Sequence, residues 1–79
     1  MNTDKVMRKI KTALEESPRN SYVAELHLQV IKHAEELQDT TGREFCQALG
    51  LGASFGTEFS KMRKIAARLR EAGLDPARI

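Results

Sequence analysis

The stretch Thr41-Gly42-Arg43-Glu44 constrains this 79-residue chain more tightly than any other. A threonine followed three residues later by a glutamate is a capping box. The hydroxyl accepts from the amide three residues on, and the carboxylate reaches back to the amide of the cap. Phe45, Cys46, Ala48 and Leu49 follow, and Gly50 stands where a left-handed residue ends a helix. A helix is thereby fixed at both ends and held to about two turns. Leu51-Gly52-Ala53 leaves only a tight connection before the next element.

Three longer helices are expected around it. Val6, Ile10, Ala13 and Leu14, with Met7 alongside, recur at helical spacing over residues 3–16, where Asn2 or Thr3 can cap and Asp4 suits the first turn. Pro18 ends that run, because it keeps Ser17 out of the helical region and has no amide to donate; Ser17-Pro18-Arg19-Asn20 reads as a loop. From Asn20 or Ser21 to about Gln38, the positions Val23, Leu26, Val30, Ala34 and Leu37 make an apolar stripe that Leu28 and Ile31 widen, which predicts a central helix. The last helix starts at Ser54 or Thr57, and Phe55, Phe59, Met62, Ile65, Ala66 and Leu69 line one face of it down to Glu71. Gly73, Leu74 and Pro76 then form a stop signal. No segment alternates as a strand does, so the fold class is all-α: one domain over residues 1–79, a small bundle of about four helices.

Several function classes drop out. One cysteine, Cys46, cannot form an internal disulfide and reads as a small buried hydrophobe. His27 and His33 stand six apart and point in different directions on a helix, so no metal site is expected. No apolar run is long enough to span a bilayer, and the first residues lack the apolar core of a leader, so a cytoplasmic location is expected. The pairs Glu15-Glu16 and Glu35-Glu36 come without a nucleophile or a phosphate-binding glycine loop and read as helix surface, so neither an enzyme nor a cofactor is expected.

A short capped helix, a glycine turn and a longer basic helix over residues 41–71 resemble the helix-turn-helix of bacterial and phage DNA-binding regulators, and a group of short bacterial proteins with helix-turn-helix-like domains. The resemblance implies that Cys46 is the small residue letting two helices approach and that Gly50 opens the turn. Phe45, Leu49 and Leu51 take the packing positions. The usual pattern puts a branched apolar residue six positions after the turn glycine; this chain has Gly56 there, and the apolar Phe59 three later. Either Phe55 takes the missing role through a shifted helix start, or the turn is longer and Thr57 caps a later helix.

Charge supports the same reading. The formal net charge is +2, too small for a general polyanion coat. Residues 1–40 carry six basic and seven acidic groups, and residues 41–79 carry seven and four. Five of the basic groups fall between Ser54 and Glu71. At 100° per residue, Thr57, Lys61, Lys64 and Arg68 lie opposite the apolar face, flanked by Arg63 and Arg70. A helix fits the major groove and presents its early residues to base edges. Ser54, Thr57, Glu58 and Lys61 are therefore expected near bases, and Arg63, Lys64 and Arg68 on phosphates. Arg43 is expected on the backbone, where the amino end of its helix favours a phosphate. The partner expected is double-stranded DNA, with a homodimer formed through the helix over residues 3–16, because the other three helices could close without it. The alternative is a helical module that docks an acidic protein on the same basic face.

Overall fold

The computed structural model describes residues 2–18 and 21–79, the side chains of Asn2 and Thr3 excepted. The caps expected at Asn2 and Thr3, and Arg19 and Asn20 of the expected loop, lie outside that description. Among the described residues the elements are α1 (Asn2–Glu16), α2 (Tyr22–Lys32), α3 (Gly42–Leu49), α4 (Phe55–Glu71) and a 3-10 turn, Pro76–Arg78. There is no strand among them, and none of the helices is long and apolar enough to cross a membrane. The fold class is the expected all-α bundle.

α3 forms as its two ends dictate. The Glu44 amide donates to Thr41 Oγ1 at 3.1 Å, and the Thr41 amide donates to Glu44 Oε1 at 2.9 Å. At the other end Gly50 takes a left-handed φ of 69°, and the Leu51 amide reaches back to the Cys46 carbonyl at 2.8 Å. A side chain at Gly50 would strain that turn, since only glycine reaches this region at little cost. α4 ends in the same way, with Gly73 at φ 109° and the Leu74 amide on the Leu69 carbonyl at 2.9 Å.

Aromatic packing joins the two capped helices. Phe45 of α3 stacks on Phe59 of α4 at 4.5 Å between ring centroids, and on Phe55 at 6.1 Å. Around these rings Val6, Ile10, Leu14, Leu26, Val30 and Leu37 close one core, with Leu49, Leu51 and Met62 packed against it. Phe45 and Phe59 are both fully buried; losing either ring to alanine would cost about 3–5 kcal/mol. That is most of the stability a domain this small is expected to hold, about 5 kcal/mol.

Three expectations are corrected. α2 stops at Lys32 rather than near Gln38. Beyond it, residues 33–40 turn loosely, with amides of Ala34, Gln38 and Thr40 bonded to carbonyls three residues back. The carboxylates of Glu35, Glu36 and Asp39 stand where a helix would end, and negative charge there opposes the helix dipole. Val23, Leu28, Ile65 and Leu69, placed on apolar faces by spacing, remain exposed. Conversely His33, expected as an ordinary helix-surface or boundary residue, is buried and bonds Glu36 Oε1 through Nδ1 at 3.0 Å.

α1 and α4 each lie against α2 and α3; among the described residues their backbones do not approach each other, although side chains of both share the one core. The two ends of the chain's helical order thus lie on different sides of a central pair. α1 is no appendage. Val6 and Ile10 are as buried as the aromatic rings, so α1 contributes to the same core.

Candidate nucleic-acid interface

The starting register of α4 decides which side chains its amino end presents. The helix begins at Phe55, with the Phe55 and Gly56 amides bonded to the Gly52 and Ala53 carbonyls. Of the two alternatives left by the sequence, the shifted start holds: Phe55 is half-buried, stacked on Phe45 and edge-on to His27 at 5.3 Å. Thr57 caps nothing and stands exposed in the first turn. Ser54 precedes the helix with an unused hydroxyl, since its side chain makes no cap bond.

Gly56, the position that departs from the usual pattern, has a physical role. Its backbone lies against Gly42 at the start of α3. A Cβ added at Gly42 would come within 2.9 Å of Gly56 Cα and of its carbonyl oxygen. The close approach expected at Cys46 therefore occurs four residues earlier, between two glycine backbones, while Cys46 is simply buried. A Cβ at Gly56 itself would lie 3.8 Å from the Gly42 carbonyl carbon, an ordinary contact, so the tight requirement for glycine falls on Gly42. Arg43 and Thr57, the residues that follow the two glycines, emerge exposed from the same end of the helix pair.

Along α4, Thr57, Lys61, Lys64 and Arg68 are all exposed and share the side opposite Phe59 and Ala66. Eleven steps of 1.5 Å separate Thr57 from Arg68 and make a stripe about 16 Å long. Lys61 has a carboxylate partner, Glu58 Oε2 at 3.6 Å; Arg43, Lys64 and Arg68 have none among the described residues.

Two expected members face elsewhere. The Arg63 guanidinium is turned into the domain. One Nη lies 2.9, 3.0 and 3.2 Å from the carbonyls of Leu37, Gln38 and Thr40, and the group sits 4.7 Å over the Phe59 ring. It shares the Leu37 carbonyl with the Thr40 amide, and it supplies the Gln38 and Thr40 carbonyls with a donor that no amide of that segment gives them. Glu58 is half-buried on the flank toward α2, where Oε1 meets His27 Nε2 at 3.4 Å. Arg70, which flanks the stripe in sequence, is tied to Glu35. The shallow groove between residues 34–38 and α4 is accordingly lined by two arginines already committed to the fold. Spacing does separate Arg63 from Lys64: at 100° per residue Arg63 lies about 40° from Phe59, at the border of the apolar face, and Lys64 about 140° away.

The geometry is a short capped helix, a glycine turn and a longer basic helix, packed together through one core. A family model described as an HTH-like domain matches residues 2–72. The chain belongs to the HTH-like domain family. Comparison with curated proteins finds no match, and neither does comparison with solved structures. The match also includes α1, so in this HTH-like domain the helix-turn-helix of α3 and α4 is the C-terminal part of a larger unit.

Proposed function

We propose that this HTH-like domain is a DNA-binding protein of the transcription-regulator type that lays α4 in the major groove. The observation carrying the proposal is the exposed stripe Thr57, Lys61, Lys64 and Arg68 on the solvent side of the second helix of a helix-turn-helix. Its length of about 16 Å covers roughly five steps of duplex at ~3.4 Å each. Ser54, Thr57 and Lys61, at the amino end, reach base edges, while Lys64, Arg68 and Arg43 hold phosphates. Arg63 and Glu58 leave the contact set, because both side chains serve the packing of α4 against α2 and residues 33–40. We read the domain as a binding module and not as an enzyme. Pairing, if two half-sites are read, uses apolar residues left exposed on α2 and α4, such as Leu28, Ile65 and Leu69, since the apolar side of α1 is spent on the core.

Titration with duplex DNA at several salt concentrations tests this. Amide shifts are expected over residues 41–45 and 54–68. With three phosphate-facing cations, Arg43, Lys64 and Arg68, the log–log slope of affinity against salt is about −2.7 per domain. The Lys61→Ala/Lys64→Ala/Arg68→Ala variant should flatten it to about −0.9. An unchanged slope, or duplex-insensitive amides combined with binding of an acidic protein on the same stripe, would refute DNA as the partner.

A further inference from the structure

The charge tally of the N-terminal half conceals a second basic surface. A groove of about 510 Å³ opens between α1 and α2, within the usual range for small-ligand sites, roughly 300–1,000 Å³. Lys5, Arg8 and Lys9 of α1 and Lys32 of α2 line it, against one carboxylate, Glu16. Among the described residues none of these four cations has a carboxylate within ion-pairing distance, and Lys32 has only the Ile79 carbonyl, at 3.5 Å. Lys5 and Lys9 stand four apart on one helix face, a like-charge spacing that weakens a helix unless an anion answers it.

Two side chains more than nine-tenths buried also line the groove: Gln29, 6% exposed, and His33, 7% exposed. Each is held by one end. Gln29 Nε2 donates to Glu25 Oε2 at 2.6 Å, and His33 Nδ1 meets Glu36 Oε1 at 3.0 Å. Gln29 Oε1 and His33 Nε2 make no hydrogen bond among the described residues, and neither atom is sealed from solvent, so both are open to a bound molecule. The groove thus combines a cationic rim with fixed polar groups beneath it, and neither feature serves the core.

We propose that this groove binds a small phosphate-bearing anion, a free ligand rather than the DNA backbone. The four cations neutralise phosphate charge through charge-assisted hydrogen bonds, and the Gln29 amide oxygen takes a donor from the ligand's polar body. The groove is lined by residues of α1, α2 and His33 and by none of α4, so the site lies apart from the recognition stripe. His33 stands at the start of residues 33–40, the segment whose carbonyls Arg63 of α4 grips. A ligand on His33 therefore sits against the support of the DNA-facing helix.

The test is a titration of the full 79-residue chain with pyrophosphate at low ionic strength, followed by amide shifts. Saturable shifts are expected at residues 5–9 and 29–33. Lys5→Gln/Lys9→Gln, both exposed and outside the core, should weaken the binding at least tenfold without lowering the melting temperature; Lys32→Gln provides a second variant on the facing helix. The Lys61→Ala/Lys64→Ala/Arg68→Ala variant should leave pyrophosphate binding unchanged, which separates this site from the duplex reading. Shifts that do not saturate, that centre on residues 57–68, or that survive both groove variants overturn the proposal. So does a groove that is inert to pyrophosphate while its variants weaken duplex binding, since it would then be a backbone contact.

Discussion

Arg63 shows how far one side chain's partners can depart from its charge. By spacing it borders the basic stripe and reads as a phosphate contact; in the fold it reaches across to the Leu37, Gln38 and Thr40 carbonyls with its planar face over Phe59. A guanidinium can do both at once because it is flat, weakly hydrated and rich in donors. Arg63→Met keeps the apolar stem but leaves the part-buried Thr40 carbonyl without its donor near Phe59, and a loss of about 1–3 kcal/mol in denaturant unfolding is expected. Lysine is no equivalent at this position: an ammonium has no planar face to lay on the ring, so Arg63→Lys should recover less than half of that loss. Full stability in Arg63→Lys would show that charge alone is what the site needs.

Between elements, the α3–α4 contact rests on glycine at both crossing positions, and the two are not interchangeable. A methyl at Gly42 meets the Gly56 backbone at 2.9 Å, whereas a methyl at Gly56 lies 3.8 Å from the Gly42 carbonyl carbon, an ordinary contact. Gly42→Ala should force the helices apart and destabilise by about 1–3 kcal/mol, the usual range for overpacking. Gly56→Ala should be neutral or stabilising by up to about 1 kcal/mol, because it removes a flexible residue from a helix. Equal losses in thermal unfolding would mean that the asymmetry is not real. The caps of α3 were fully legible beforehand, since Thr41, Glu44 and Gly50 act locally. The meeting of Gly42 with Gly56 was not, because it joins two helices across a turn, and a gap in an expected apolar pattern does not say what fills it. The end of α2 was missed for a related reason: helical spacing persists through Ala34 and Leu37 even though the backbone has already unwound. The capping box also carries a pH signature. The Thr41 backbone amide, and then the Thr41 hydroxyl, hold the Glu44 carboxyl below the usual glutamate range. A carboxylate so depressed stabilises the fold above its unfolded-state pKa, and that contribution is lost as pH falls through its lower folded-state value. Side-chain titration of Glu44 should give a midpoint below that of free glutamate, and the melting-temperature gap between the wild type and Glu44→Ala should close as the solution is acidified. A gap that is constant with pH would leave the carboxylate without a part in the cap.

For the molecule as a whole, charge and burial divide the work differently from what net values suggest. Residues 1–40 sum to nearly nothing, yet α1 turns Lys5, Arg8 and Lys9 toward one groove, and acidic groups gather at Glu35, Glu36 and Asp39 beside the arginines of α4. The apolar contacts are similarly spread. Helix-turn-helix units are expected to close around three helices, but here Val6, Ile10 and Leu14 share one cluster with Leu26, Val30, Phe45 and Phe59. A chain beginning at Ser17 would expose that face of α2 and α3 to water. At about 1.5–3 kcal/mol for each large apolar residue buried, losing the contacts of Val6, Ile10 and Leu14 exceeds what a domain of this size holds in reserve. The truncated chain should show weak helical signal and no cooperative thermal transition. It should also lose duplex binding even though every residue of the α4 stripe is retained. If instead residues 17–79 melt cooperatively and bind duplex with unchanged salt dependence, α1 is an addition to a self-sufficient helix-turn-helix, and the single-core description of the domain is wrong.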